Sequence, residues 1–288
     1  MAEFAQSDTA SAQLGTLFVV ATPIGNIEDI SARAIRTLRD ADLICAEDTR
    51  HSQRLMQHYQ INTPMMSLHE HNEMARIEQI SDKLRQKQTI ALISDAGTPL
   101  ISDPGFKLVR ELRKQGFRVS PVPGPSAIIS ALSVAGLATD SFSFWGFLPA
   151  KSSGRKQAFN DLSQNRETLV FYESSHRILE SLKDLYEILG DRELVIAREL
   201  TKTFETVLSG MASSLIEKVA EDLDQQKGEF VVMVAGADDK LAAMDLATEK
   251  LMLALLEELP PNKAAKIAAQ VSGLKKKTLY QWALEQKA

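Results

Sequence analysis

The stretch that most constrains the fold runs from Thr89 to Gln115. Thr89-Ile90-Ala91-Leu92-Ile93 is apolar and β-branched and reads as a buried strand. Ser94-Asp95-Ala96-Gly97-Thr98-Pro99 follows as a tight loop, and the residues from Pro104 to Gln115 read as a helix with Asp103 at its N-cap. Strand, loop and helix in this order belong to an α/β sheet, in which ligands gather at the carboxyl ends of the strands. The loop chemistry is selective. Gly97 permits close backbone approach, while Ser94, Asp95 and Thr98 supply hydroxyls and acceptors. A phosphate beside Asp95 would be repelled, and a ribose or a cation would be favoured.

The same alternation recurs along the chain. Thr16 to Ala21 is a strand, Thr22-Pro23-Ile24-Gly25-Asn26 its turn, and Ile27 to Ala41 carries helical spacing. Leu43 to Ala46 is a second strand, ending in the charged cluster Glu47-Asp48-Thr49-Arg50-His51. Met65 to Leu68 is a short strand before His69-Glu70-His71-Asn72-Glu73, whose spacing is not the helical H-E-x-x-H arrangement, so no metal site is expected. Glu73 to Gln86 is a helix. Phe117 to Val122 is a strand, followed by Pro123-Gly124-Pro125-Ser126-Ala127 and a helix that Gly136 ends.

Phe142 to Phe147 opens the second half as a strand, and Leu148 to Lys156 reads as a polar, basic loop. Strands are expected at Thr168 to Tyr172, Leu194 to Ala197, Thr203 to Leu208 and Glu229 to Val234, with helices at Ser175 to Leu189 and Met211 to Glu221. Two consecutive strands without a helix between them predict a hairpin, hence a mixed sheet. Lys240 to Leu259 is a helix. A tail follows with one helix capped by Asn262 and a second from Lys275 to Gln286, joined at Ser272-Gly273 in helix-turn-helix fashion. The implied division is 1–14 as a flexible N-terminus, 15–138 and 139–238 as two α/β domains, and 239–288 as a helical tail.

Composition narrows the function classes. From Lys250 onward there are 7 Lys and Arg against 3 Glu, so a basic tail sits on an acidic body and suits a polyanionic partner. Cys45 is the sole cysteine, which excludes an intramolecular disulfide. No signal peptide or membrane span is expected, and a reducing cytoplasm fits. No two glycines stand two positions apart, and no G-K-[ST] or G-x-S-x-G occurs, so dinucleotide, P-loop and serine-hydrolase cradles are missing.

Thr22 to Asn26, Glu47-Asp48-Thr49-Arg50, Ser94 to Pro99, Pro123 to Ala127, Phe171-Tyr172-Glu173-Ser174 and Arg198-Glu199-Leu200-Thr201-Lys202 together closely resemble the tetrapyrrole-methylase superfamily. Within it they are most similar to the group that 2′-O-methylates the ribose of a cytidine in the decoding region of 16S ribosomal RNA. The resemblance implies S-adenosyl-L-methionine in the cleft between two α/β domains, commonly in a homodimer, with an extra helical domain as the tail. Carried over residue by residue, the cofactor would meet Pro23, Ser94, Asp95, Ala96, Gly97, Thr98, Pro99, Pro123, Ser126 and Ala127 from the first domain. Phe171, Tyr172, Glu199 and Gly228 would meet it from the second. Tetrapyrrole-methylating members tend to carry Gly-Asp-Pro where this chain has Ser94 to Pro99, a departure that weighs against a porphyrinoid substrate.

The chemistry agrees. A sulfonium is attracted by Asp95, and methyl displacement chiefly requires a ribose hydroxyl held in line with methyl and sulfur. Glu47, Asp48, Arg50 and Lys202 are the candidate catalytic residues, with His51 a further candidate base. Lys151, Arg155 and Lys156, together with Lys275, Lys276 and Lys277 in the tail, are candidate RNA contacts. With 6% aromatic residues there are few platforms for gripping a base, which favours a ribose target. Two other readings stay open here: a tetrapyrrole or other small-acceptor methyltransferase of the same fold, and a ligand-sensing helix-turn-helix regulator of DNA.

Overall fold

The computed structural model describes residues 14–237, 246–274 and 276–285. The first half runs β1 (Thr16–Val20), α1 (Ala32–Asp40), β2 (Leu43–Ala46), α2 (Thr49–His58), β3 (Met65–Ser67), α3 (Glu73–Arg85), β4 (Ile90–Ile93), α4 (Phe106–Lys114), β5 (Arg118–Val122) and α5 (Ala127–Ala135). Its five strands lie in the order β3-β2-β4-β1-β5, all parallel. β2 and β4 are buried at every position, as strands covered on both faces must be. Alternate residues feed two cores. Leu17, Cys45 and Leu92 meet Ile80 and Leu112 of α3 and α4, while Val20, Ile44 and Ile93 meet Leu38 and Met56 of α1 and α2.

The strand order reverses between β1 and β4, so the loops after these strands emerge side by side. Thr22 and Gly97 pin them together: Thr22 N donates to Gly97 O at 2.8 Å, and Gly97 N donates to Thr22 O at 3.0 Å. Gly97 holds φ 78° there, which a side chain would strain.

The second half runs β6 (Phe142–Phe147), α6 (Ser152–Asp161), β7 (Thr168–Ser174), α7 (Ile178–Leu189), β8 (Glu193–Arg198), β9 (Thr206–Met211), α8 (Ala212–Glu221) and β10 (Glu229–Val234). The sheet order is β6-β7-β10-β8-β9, parallel between β6 and β7 and antiparallel elsewhere; β8 and β9 form the expected hairpin. Helices α6, α7 and α8 cover one face around Phe159, Phe171, Leu182 and Leu215. The other face is covered by α5, whose Ile128, Ala131, Leu132 and Ala135 pack on Val170, Val195, Ala197, Val231 and Met233. The last helix of the first half is therefore a lid on the second sheet.

Several elements differ from the sequence reading: β9 lies three residues later than expected, at Thr206–Met211, and α1 starts at Ala32 after a short 3-10 turn at Ile27–Asp29. The helix after the Asp95 loop starts at Phe106 instead of Pro104, with Gly105 (φ 116°) at its N-cap, so Asp103 does not cap it. The stretch read as a basic loop contains α6, a helix whose buried positions include an arginine and thus show no apolar stripe. In the tail, α9 (Leu246–Glu258), α10 (Pro261–Ser272) and α11 (Lys276–Glu285) enclose a core of Met252, Ala264, Ala265, Ala268, Leu279 and Ala283. Pro260 is the N-cap of α10, which places Asn262 inside its first turn, and Gly273 ends it at φ 73°. The expected helix residues 240–245 and Lys275 lie outside the described residues, as does most of the expected N-terminal segment. No helix among the described residues is long and apolar enough to cross a membrane.

Candidate functional site between the two sheets

A cleft of about 570 Å³ opens between the sheets and is lined by Asp95 to Thr98 and Ser126-Ala127 on one wall and by Tyr172, Ala197, Leu200, Gly228 and Val231 on the other. A side chamber of about 340 Å³ adjoins it, lined by Thr22 to Gly25, His51, Ser94, Asp95, Ala96 and Lys202. The motifs scattered along the sequence thus meet at one place, because each ends a strand at the same rim of its sheet.

The main chamber carries an acidic wall. Asp95 Oδ1 accepts from Asp48 N at 3.1 Å, and Asp95 N donates to Glu47 Oε2 at 3.5 Å, which ties the ends of β2 and β4 together. Burial raises the Glu47 carboxyl above its ordinary value, and the neighbouring Asp95 raises it further. Asp103, which the sequence offered only as a helix cap, lines the chamber instead; burial, partly offset by a hydrogen bond from Ser94, pushes it up to about 6, with Glu47 and Asp95 adding to the rise. Burial and the adjacent Asp103 likewise push Tyr172 up to about 12. Among the described residues no ion pair neutralises Glu47, Asp95 or Asp103, so this wall favours a cationic occupant.

The raised Asp103 has a consequence for stability. The fold favours its protonated form, so its contribution is fully present below the unfolded value near 3.8 and is lost as the pH climbs through about 6. Asp103→Asn is expected to stabilise the protein by about 1–2 kcal/mol at pH 7.5, after discounting for solvent screening, and to change it little at pH 4. Urea denaturation at both pH values checks this; equal effects at both would contradict the penalty that burial and the neighbouring carboxylates place on the ionised form.

The opposite wall is organised by Lys202. Its Nζ lies 2.9 Å from Glu199 Oε1 and 2.9 Å from Glu229 Oε2. Burial alone would lower the Lys202 ammonium, but these two carboxylates outweigh it and hold it above its ordinary value. Glu199 is likewise lowered, the burial that would raise it being overcome by Lys202 and the Glu229 N–H. The two carboxylates thus favour the charged form of Lys202. The loop carrying it reaches the first sheet where Asn26 N donates to Thr201 Oγ1 at 3.0 Å. Leu100 (φ 76°), Ser102 (φ 67°), Glu199 (φ 49°) and Thr201 (φ 64°) hold left-handed backbone in the two loops flanking the cleft. Such strain persists where the surroundings over-determine it, commonly at functional sites.

Other predicted residues land elsewhere. Asp48 caps α2 through its bond from Arg50 N at 2.8 Å. Arg50 turns away from the cleft and lines a groove with Thr63, Pro64 and Met65. Pro99 is buried and Pro123 is exposed, and neither lines the cleft. Pro23 lines the side chamber. Phe171 is a correction: it is 1% exposed and its ring packs on Phe159, on the face of the second sheet away from the cleft, because the strand alternation that turns Tyr172 toward the cleft turns Phe171 into the core. Arg155 is another. It is 1% exposed and paired with Asp184 at 2.6 Å, so it cannot reach a phosphate. Lys156 is bonded to Glu187 at 2.7 Å, whereas Lys151, Lys276 and Lys277 are exposed. Missed from sequence were Asp103, Phe147 and His176 of the main chamber and Ser52 and Arg54 of the side chamber.

A family description of Tetrapyrrole (Corrin/Porphyrin) Methylases matches residues 16–216, and an RsmI C-terminal HTH domain matches residues 242–287. The chain belongs to the tetrapyrrole methylase family. Within that family it is 52% identical over 267 residues to a ribosomal RNA small subunit methyltransferase I of Xylella fastidiosa strain Temecula1, spanning 92% of this chain and 98% of the relative. It is 50% identical over 284 residues to the protein of the same name from Escherichia coli O157:H7, spanning 98% and 99%. Among solved tetrapyrrole methylase folds, uroporphyrin-III-C-methyltransferase from Thermus thermophilus superposes with TM-score 0.54 at 20% identity over 77% of this chain and 94% of that one. Diphthine synthase superposes with TM-score 0.59 at 14% identity over 77% and 90%. These two likenesses establish the fold. Membership makes this tetrapyrrole methylase a methyltransferase that uses S-adenosylmethionine.

Proposed function

We propose that this protein transfers the methyl group of S-adenosylmethionine to the ribose 2′-oxygen of a cytidine in the decoding region of 16S ribosomal RNA, within the small ribosomal subunit and in the cytoplasm. The observation that carries this reading is near-full-length identity of about half to proteins named ribosomal RNA small subunit methyltransferase I, extending through the helical tail. The cleft fits the cofactor. Its acidic wall of Glu47, Asp95 and Asp103 suits the sulfonium, and Ser126 makes no side-chain cap on α5, so the free N–H groups of that helix suit the cofactor carboxylate. The apolar wall of Ala197, Leu200 and Val231 suits the adenine. Bound there, the cofactor supplies the methyl group.

Of the four candidate bases, Asp48 is held as a helix cap and Lys202 as a paired cation, which leaves Glu47 and His51 to receive the hydroxyl proton. Lys202 orients the acceptor and balances the carboxylates around it. The deciding experiment is incubation with labelled S-adenosylmethionine and small ribosomal subunits, followed by nuclease mapping of the label. Label on a cytidine that stays with the ribose after glycosidic cleavage supports the reading; label on a base, or on a tetrapyrrole and not on RNA, refutes it.

The tail is proposed to dock the RNA. Lys276 and Lys277 are exposed in the first turn of α11, where a helix dipole alone disfavours cations and a phosphate would relieve them. Lys276→Ala with Lys277→Ala is expected to reduce the salt slope of subunit binding by roughly one to two and to leave cofactor affinity unchanged. Filter binding across a salt series reads this, and an unaltered slope would place the RNA elsewhere. A homodimer is proposed through the exposed apolar surface of Ile129, Val134, Val207 and Met211, on α5 and β9. Sedimentation velocity is expected to show two copies, and Val134→Asp to shift the equilibrium to one.

A further inference from the structure

We propose that the side chamber is the acceptor subsite and that it takes one unpaired ribonucleotide by its sugar and phosphate; this rests on the methyltransferase reading above. The chamber of about 340 Å³ shares Asp95, Ala96 and Lys202 with the main chamber, so an occupant lies directly against whatever fills the cofactor site. Its lining is unlike that of its neighbour. Exposed His51 and Arg54 stand at the mouth, and Arg54 makes no hydrogen bond or ion pair with another residue among the described residues. Ser52, 4% exposed, lines the chamber, and its Oγ has no hydrogen-bond partner among the described residues.

The charges sort the two occupants. The acidic wall of the main chamber, Glu47 and Asp103 included, suits a cation and would repel a phosphate. Asp95 and Glu229 also line the side chamber where it meets the main one, whereas its mouth carries Arg54, whose guanidinium offers a phosphate a fork of donors away from those carboxylates. With the phosphate at Arg54, the sugar lies toward Lys202, in a chamber whose volume of about 340 Å³ is that of a single small ligand. The nucleotide must therefore leave its stack to enter. Arg54 acts here as a binding residue for the acceptor.

The test is methylation of small ribosomal subunits by the full chain, with cofactor affinity measured separately by calorimetry. Arg54→Ala is expected to raise KM for subunits at least tenfold, to keep kcat within about threefold and to leave the Kd for S-adenosylmethionine within twofold, the signature of lost ground-state binding. Arg54→Lys should recover part of the loss. Cytidine 5′-monophosphate should compete with subunits for the wild-type protein and lose that competition in Arg54→Ala. A wild-type KM in Arg54→Ala, or a tenfold weaker cofactor, would overturn the assignment. A wild-type protein that binds the cofactor and never methylates subunits would instead overturn the functional reading itself, a failure visible before any variant is made.

Discussion

Replacing Asp184 with alanine is expected to destabilise the protein by about 3–5 kcal/mol, because it strands a buried guanidinium. Arg155 is 1% exposed; its Nε donates to Asp184 Oδ2 at 2.8 Å and its Nη2 lies 2.6 Å from the same oxygen. Its remaining donors hold Ala150 O at 3.2 Å and Pro149 O at 3.4 Å, so the pair also fixes the chain leaving β6. Ser152 Oγ completes the network by donating to Asp184 Oδ1 at 2.9 Å. Each hydrogen bond is modest, but an unpaired buried charge carries its full desolvation cost. Urea denaturation followed by circular dichroism should show the loss, and Asp184→Leu combined with Arg155→Met should recover most of it. A single variant within about 1 kcal/mol of wild type would mean that water reaches Arg155 and that the burial is not maintained in solution.

Gly228→Ala is expected to lower methyl transfer about a hundredfold, the size of effect that a misplacement of about an ångström at a reacting centre produces. Gly228 has φ 98°, and a Cβ added there would lie 2.5 Å from Glu199 Cγ. Glu199 cannot yield cheaply, since Oε1 accepts from Glu229 N at 2.9 Å and pairs with Lys202 at 2.9 Å. The displaced carboxylate would release Lys202, which lines both chambers, and would move the wall that faces Asp95. Gly116→Ala is the control: its φ of 81° carries the same backbone penalty, but nothing lies within 4 Å of the added atom. Initial rates with small ribosomal subunits should fall for Gly228→Ala and not for Gly116→Ala. Equal rates for the two variants would detach the Glu199–Lys202 pair from catalysis.

The contrast between these two sites marks where sequence reasoning reached and where it stopped. Strands β2, β6 and β10 were legible to the residue: β2 and β10 as short buried apolar runs, and β6, an exposed edge strand, by its run of aromatic residues. The β8–β9 hairpin followed from the absence of a helix between two such runs. α6 was illegible because its buried anchors include Arg155, and periodicity reads an arginine as a solvent-facing residue. The same error made Arg155 an RNA contact: nothing local reveals that Asp184, a helix and a strand later in the chain, neutralises it. Phe171 and Tyr172 are adjacent aromatics in one motif, and only the pleat of β7 against its two layers determines which of them faces the cleft.

Local chemistry by itself determined that the Asp95 loop would end a strand and set a carboxylate at the carboxyl rim of the sheet, because turn geometry and charge are properties of neighbouring residues. Only the tertiary structure decided that Asp103 belongs to that rim. Positive φ at Leu100 and Ser102 delays α4 to Phe106, which turns a residue with every local mark of a helix cap into a carboxylate raised by burial beside Asp95 and Glu47. Lys202 is the counterpart on the other wall. Its sequence neighbours left it free to be a base, whereas Glu199 and Glu229, brought together by β8 and β10, hold it as a cation. A residue's type is local, but its protonation state is set by charges and burial that the fold assembles from distant parts of the chain.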